Sequence, residues 1–279
     1  MLLDDHIKHW LETNDDTTLL RFMDTPEYRD MPYEERNLRF ITSSKLKAYE
    51  ECPFAAKLRH VDREQIEEDD EDYFLLGRAV DDYLTYGEEA FNKKYEFVAR
   101  RSDKSDKIQM TFSHKKIVEE AIAEWARQPM FPKKLKKVNV LWLENGYPCK
   151  AELDNLEEGI GDAKLVANVL EFEPEKYLFQ MAFYHYAVLR RFGRGVHADL
   201  FVLDKHKGWS RSHLWRYSVP TLAAQRERIG LLIGQYIGSL QTGLWPMVDT
   251  TTDRGRRVAF DSPHYTKHAE FRSSSPSVL

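Results

Sequence analysis

Two strand-like segments and a long amphipathic pattern constrain the fold of this chain more than any other part of its sequence. Residues Tyr147 to Asp154 and Gly159 to Leu165 carry apolar residues at alternate positions and are separated by a short polar connection, which predicts a β-hairpin. Pro174 then suits the start of a helix, and helical spacing continues until Gly193. The sequence therefore predicts helices packed against a sheet.

The predicted hairpin brings acidic and basic side chains together. Successive strand side chains face opposite ways, so Asp162 and Lys164 share a face. A turn centred on residues 157 and 158 places Asp154 opposite or nearly opposite Asp162, with their Cβ atoms roughly 5 Å apart. Two bare carboxylates repel, but Mg²⁺ takes oxygen ligands, and an adjacent ammonium can lower the pKa of a metal-bound water or hold a phosphate. The residues fit metal-assisted hydrolysis of a phosphodiester.

The helix after Pro174 adds polar groups to this region. Gln180 and Tyr184 lie four residues apart, and hence on one face, alongside Tyr177. A glutamine between aromatic residues on a buried face needs hydrogen-bond partners, which an active-site lysine, a water or a phosphate would supply. The alternatives are an amphipathic helix that only packs on the sheet and acids and lysines on a solvated strand face.

Five segments, in the same order along the chain, resemble the PD-(D/E)XK nuclease superfamily and, within it, the RecB-like and phage exonuclease branch. They are ITSSKLKAYEECPFAAKLRH (Ile41 to His60), FLLGRAVDDYL (Phe74 to Leu84), Asp154, Asp162-Ala163-Lys164, and Gln180 with Tyr184. The likeness covers most of residues 41 to 244. It implies an α/β fold with a restriction-endonuclease-like core, in which helices flank a central mixed sheet and a helical N-terminal elaboration is added.

The resemblance also implies an activity, namely a deoxyribonuclease that depends on Mg²⁺ or Mn²⁺, expected to be an exonuclease of recombination, repair or phage DNA processing. The implied catalytic residues are Asp154, Asp162, Lys164, Gln180 and Tyr184, and the implied metal ligands are Asp81, Asp154, Asp162 and the carbonyl of Ala163. The partners implied are DNA and a recombination or annealing protein, with no membrane. The oligomeric state is left open.

The chain departs from the pattern of the branch at several positions. Asp81, with Asp82 beside it, stands where many members carry a metal-ligand histidine, although an aspartate also ligates Mg²⁺. The interval between Asp154 and Asp162 is short for the branch. Two cysteines cannot supply the four ligands of the usual iron–sulfur clusters, so no such cluster is expected. These departures motivate an alternative, a non-catalytic DNA-binding or assembly subunit that retains the nuclease fold.

Charge is unevenly distributed over a chain whose formal net charge is −5. From Arg190 to Arg228 there are nine Lys or Arg against three acids, a local balance of +6, which suits a surface that tracks phosphates. We predict DNA contacts from Tyr184, Arg191, Arg211 and Arg216. The competing interpretation is an edge strand with its arginines in solvent. The lysine-rich segment KKLKK, residues 133 to 137, is predicted to be a solubilising surface.

Domain organisation and location follow from coarser features. We predict an N-terminal helical arm over residues 1–40, a nuclease domain over 41–245 and a partly disordered tail over 246–279. The chain starts without the basic and apolar stretches of a signal peptide, contains no apolar run near 18 residues, and has only two cysteines. A cytoplasmic protein of a bacterial or phage-infected cell is expected. The predicted helices are 44–60, 75–91, 114–127, 175–192 and 220–240, and the predicted strands are 138–143, 147–154, 159–164, 196–203 and 210–219.

Overall fold

The computed structural model describes residues 3–62, 71–99, 105–205 and 211–246. Its helices are α1 (Leu3–Thr13), α2 (Thr17–Met23), α3 (Pro26–Asp30), α4 (Tyr33–Asn37), α5 (Ser43–Glu51), α6 (Pro53–His60), α7 (Glu71–Lys94), α8 (Phe112–Arg127), α9 (Glu175–Phe192), α10 (Val219–Ala223) and α11 (Arg226–Thr242). Its strands are β1 (Tyr95–Val98), β2 (Ile108–Thr111), β3 (Val138–Glu144), β4 (Tyr147–Leu153), β5 (Asn155–Leu156), β6 (Ile160–Val166), β7 (Ala198–Asp204) and β8 (Ser212–Tyr217).

These elements belong to two compact units. The first contains the described parts of residues 1–67, 141–150 and 226–279, and the second contains those of residues 68–140 and 151–225. The predicted domain boundaries at residues 40 and 245 stay predictions, and the predicted tail lies outside the described residues beyond Pro246. No helix in the described part of the chain is both long and apolar enough to cross a membrane.

The second unit is built on a four-stranded sheet in the order β5-β6-β7-β8. Strand β6 is parallel to β7 and antiparallel to β5, and β7 is antiparallel to β8, so the sheet is mixed. Helices α7 and α8 cover it through a core cluster that includes Leu76, Val118, Phe201 and Leu203. Helix α9 connects β6 to β7 as the crossover that a parallel pair requires. The predicted α/β class is confirmed.

The predicted hairpin between residues 147–154 and 159–165 is wrong in its pairing. Strand β4 forms a two-stranded sheet with β3, because Asn145 and Gly146 adopt positive φ values of 50° and 79°, as the favoured Asn-Gly hairpin turn requires. Strand β5 pairs with β6 only through Asn155↔Gly161 and Leu156↔Ile160. That register nevertheless places Asp154 next to Asp162, close to the position expected from the sequence.

Several predicted helices are interrupted. The segment predicted as one helix over 44–60 is two helices, because Cys52 is extended at φ −157° and precedes Pro53, and the residue before a proline is disfavoured from helical geometry. The predicted helix over 220–240 is also two, α10 and α11. Helix α7 contains Gly87 at φ 82°, ψ 176°, a conformation outside the helical region.

The first unit carries the N-terminal helices. Its core cluster contains Leu3, Ile7 and Trp10 of α1 together with Tyr28 and Phe40. The proline-containing segment TPEYRDMPYEER, residues 25–36, contributes to the short helices α3 and α4 and supplies the buried aromatic residue Tyr28. The helical N-terminal elaboration is present, and its apolar residues form part of a folded core.

Candidate active site

Four elements of the second unit supply the predicted site residues. Asp162, Ala163 and Lys164 lie on β6, Asp154 precedes β5, Asp81 lies in α7, and Gln180 with Tyr184 lie in α9. The structure brings the three aspartates and Lys164 into one cluster, in which Asp154 and Asp162 are buried while Asp81 and Lys164 are partly exposed.

Asp162 and Lys164 form the inner ion pair of the cluster. Their side chains share a face of β6, and Lys164 Nζ lies 2.6 Å from Asp162 Oδ2. Burial raises the pKa of Asp162 to about 6, because the nearby charge of Asp154 adds to desolvation while Lys164 only partly opposes it. Lys164 also lies over the ring of Tyr177, with Nζ 5.5 Å from the centroid. The lysine is thus held in place from two sides.

Asp154 binds both a backbone amide and a second lysine. Its Oδ2 accepts the N–H of Ala163 at 2.8 Å, and its Oδ1 accepts a hydrogen bond from Lys137 Nζ at 2.7 Å. Burial alone would raise the pKa of Asp154, but the positive charges of Lys137 and Lys164 outweigh it and lower the pKa. Asp154 is therefore the acid of the cluster whose ionised form is most favoured.

Asp81 completes the acidic set. Its Oδ2 lies 2.8 Å from Lys137 Nζ, whereas its Oδ1 is buried without a hydrogen-bond partner. Burial raises the pKa of Asp81 to about 7, and the negative charge of Asp154 adds to the rise, despite the opposing charge of Lys137. Its neighbour Asp82 instead accepts a hydrogen bond from Tyr95 at 2.6 Å and pairs with Lys94. Of the two aspartates, Asp81 is the one joined to the site.

Lys137 is a site residue that sequence reasoning missed, because the segment KKLKK was predicted to be a solubilising surface. The Leu135 N–H donates to the carbonyl of Leu84 in α7, and the Lys136 N–H donates to the carbonyl of Asp154. These backbone bonds hold the segment beside both acids, and the neutral form of Lys137 is strongly disfavoured there. Although desolvation lowers the pKa of Lys137, Asp154 and Asp81 together hold it well above its usual value. No local sequence signal distinguishes this lysine from its neighbours.

Gln180 and Tyr184 lie beside the inner ion pair, as the helical spacing predicted. Gln180 Nε2 donates to Tyr184 Oη at 2.7 Å and lies 3.5 Å from Asp162 Oδ1. Both residues belong to one face of α9, and Tyr184 is buried. The glutamine thus has partners within the cluster, as a partly buried amide requires.

Two of the arginines predicted to contact DNA form ion pairs with aspartates of β7. Arg211 binds Asp204 through Nε at 2.7 Å, and Arg216 binds Asp199 through two nitrogens, each at 2.7 Å. Asp204 is fully buried, whereas the side chain of Arg216 is 53% exposed. Arg191 lies in the last turn of α9. Their predicted DNA contacts stay predictions.

The cluster contains the donor atoms of a divalent-cation site. Carboxylate oxygens are the donors that Mg²⁺ prefers, Asp81 Oδ1 has no hydrogen-bond partner among the described residues, and two of the acids have raised pKa values. As they stand, however, no three His, Cys, Asp or Glu side chains of the described residues are arranged to hold a metal, since lysine ammonium groups occupy the space between the acids. The donor chemistry fits a hard cation, provided that an ammonium group moves.

The fold and the site together define an α/β protein that carries a cluster of aspartates and lysines. No protein-family model matches the chain, and no curated protein matches it. Among solved structures, the chain is similar to a candidate exonuclease from Eubacterium rectale, with a TM-score of 0.62 and 18% sequence identity over 84% of this chain and 92% of the other. At this identity the likeness establishes a shared fold.

Proposed function

We propose that this chain is a metal-dependent DNA nuclease of the PD-(D/E)XK superfamily, in its RecB-like and phage exonuclease branch, and that it degrades DNA from ends during recombination, repair or phage DNA processing. The observation that carries the proposal is the single cluster of Asp81, Asp154, Asp162 and Lys164, with Gln180 in reach of Asp162. The shared fold with a candidate exonuclease supports it.

Asp81, Asp154, Asp162 and the carbonyl of Ala163 are the groups that would hold Mg²⁺ or Mn²⁺. A bound cation would supply Lewis acidity toward a phosphoryl oxygen and toward water. Lys164 orients the attacking water and offsets the negative charge that builds on the phosphate in the transition state. Gln180 fixes the position of Asp162, and Tyr184 contacts the substrate strand.

DNA is the proposed partner, together with a recombination or annealing protein. Arg191, Arg211 and Arg216 belong to the basic part of the sequence, and the exposed part of Arg216 remains open to a phosphate while Asp199 holds the other side. We place the protein in the cytoplasm of a bacterial or phage-infected cell. Cys52 and Cys149 are buried and are not joined by a disulfide, which agrees with a reducing compartment.

The test compares Lys164→Ala with the matched variant Lys176→Ala, whose lysine is exposed and pairs with Glu173. Linear and circular DNA are digested with Mg²⁺, with Mn²⁺ and with EDTA. Lys164→Ala removes one group that stabilises charge in the transition state, so it is expected to cleave linear DNA about 10²- to 10³-fold more slowly than the wild type. Lys176→Ala is expected to cleave at the wild-type rate.

Folding must be separated from catalysis in this test. Lys164→Ala leaves Asp162 without its ion-pair partner and could therefore destabilise the fold. The double variant Asp162→Asn/Lys164→Met removes both charges together, so it is the control that is expected to stay folded while being inactive. Wild-type cleavage by purified Lys164→Ala contradicts the assigned role. Metal-independent DNA binding without product at any metal concentration supports the non-catalytic subunit instead.

A further inference from the structure

We propose that Lys137 is a built-in cation of this site, which a divalent metal must displace in order to bind between Asp81 and Asp154. The inference rests on the proposed function, because it assigns a regulatory role to a lysine of the same site. It is carried by the position of one ammonium group between two carboxylates.

Lys137 contacts one carboxylate oxygen of each acid. Its Nζ lies 2.8 Å from Asp81 Oδ2 and 2.7 Å from Asp154 Oδ1. The other oxygen of Asp154 is engaged by the Ala163 N–H. A cation that bridges Asp81 and Asp154 therefore competes directly with the ammonium group.

The charge balance points in the same direction. The three aspartates in direct contact with Lys137 or Lys164 face two ammonium groups, which leaves one net negative charge when all five groups are ionised. Release of Lys137 leaves two, which is the charge that one divalent cation neutralises. Binding a metal while the lysine stays in place would reverse the sign of a buried cluster, which is unfavourable.

Lys137 is less firmly anchored than Lys164, although the two side chains are equally exposed, at 22% each. Lys137 extends from the segment that precedes β3, from which a rotation of its long chain can carry the ammonium toward solvent. Lys164 is fixed over Tyr177 on the central strand β6. The two lysines thus have different roles: Lys164 stays, and Lys137 leaves. The metal affinity of the site is set by how readily Lys137 is displaced.

The first experiment measures Mg²⁺ and Mn²⁺ binding by titration calorimetry, without DNA, on the full chain and on four variants. Lys137→Met and Lys137→Gln remove the charge and are expected to bind metal at least tenfold more tightly than the wild type. Lys137→Arg keeps the charge, and Lys136→Met removes the adjacent lysine that pairs with Glu157. Lys136→Met is expected to leave the metal affinity unchanged, and Lys137→Arg is expected to leave it unchanged or to weaken it.

The second experiment uses the wild-type chain and does not depend on the folding of any variant. Lysine acylation is followed by mass spectrometry with saturating Mn²⁺ and with EDTA, and Lys136 serves as the internal reference. Metal is expected to raise the acylation rate of Lys137 severalfold relative to Lys136. A rate that is unchanged or lower, or neutral variants that bind metal no better than the wild type, overturns the proposal.

The outcomes keep this inference apart from the nuclease function. If Lys137→Met binds metal more tightly and neither the wild type nor the variant gives any DNA product, displacement is supported and the nuclease activity is refuted. Metal-dependent cleavage by the wild type with unchanged affinity in Lys137→Met and Lys137→Gln supports the nuclease and overturns displacement.

Discussion

Asp81→Asn is expected to make the protein more stable at alkaline pH, although it removes a proposed metal ligand. In the folded chain, burial and the charge of Asp154 raise the pKa of Asp81 from 3.8 to about 7. The folded state therefore holds this proton more tightly than the unfolded state does. Stability contributed by the neutral carboxyl is present at low pH and is lost as the pH rises from about 4 to about 7.

The magnitude follows from the same two pKa values. Each pKa unit corresponds to about 1.4 kcal/mol, so the full rise from 3.8 to about 7 corresponds to at most about 4 kcal/mol of lost stability above pH 7. Asparagine carries no charge and avoids this loss. We expect Asp81→Asn to gain about 2–4 kcal/mol over the wild type at pH 8 and only about 1 kcal/mol at pH 4.5.

The assay is urea unfolding followed by tryptophan fluorescence at both pH values, with EDTA present so that no metal adds stability. Asp82→Asn is the matched control. Tyr95 donates a hydrogen bond to Asp82 and Lys94 pairs with it, so removal of the Asp82 charge should make the protein less stable. An equal change at both pH values, or no gain for Asp81→Asn at pH 8, refutes the assigned cause.

Two further predictions concern the frame of the site. Gly159→Ala is expected to lower the free energy of unfolding by about 1–3 kcal/mol, because an added Cβ overlaps the imidazole of His197. Urea unfolding should show that part of this stability returns in Gly159→Ala/His197→Ala. Additive losses in the double variant would contradict the overlap. Arg211→Ala removes the guanidinium that balances the charge of the buried Asp204 carboxylate and is expected to cost about 3 kcal/mol. Arg216→Ala, at a half-exposed pair, is expected to cost less than about 1 kcal/mol, and equal losses for the two arginines in urea would refute this ranking.

Local patterns predicted the parts of the fold that depend on neighbouring residues. The alternation along β6 placed Asp162 and Lys164 on one face, and the helical spacing of α9 placed Gln180 and Tyr184 together. Gly193 ends α9 in the left-handed conformation at φ 68°, as expected of a glycine that follows a helix. In each case the interacting residues lie within four positions of one another.

Strand pairing was predicted less well because partners compete over long distances in sequence. Strand β4 could pair with either neighbour in the chain, and the Asn145-Gly146 turn decides in favour of β3. Strand β6 finds its main partner in β7, beyond the whole of α9. Alternation alone identifies a strand and leaves its partner undetermined.

The same limit explains the missed lysine. Lys137 meets Asp81 and Asp154 only because backbone bonds fix residues 135 and 136 against α7 and the end of β4. Composition suggested a solvated lysine run, since nothing nearby in sequence requires a buried cation. The sequence nevertheless predicted that Asp154 and Asp162 lie side by side, because only a short connection separates them.

The double engagement of Asp154 limits how the site can be silenced by mutagenesis. One oxygen accepts the amide of Ala163 and the other accepts Lys137, so Asp154→Asn must point its NH₂ group at one of these two donors. Two opposed donors repel, and the edge of the sheet would reorganise around the substitution. Loss of activity in Asp154→Asn could therefore reflect a shifted strand connection instead of lost chemistry. Asp162 accepts no backbone amide among the hydrogen bonds described for it, so a substitution there gives the cleaner test of the proposed activity.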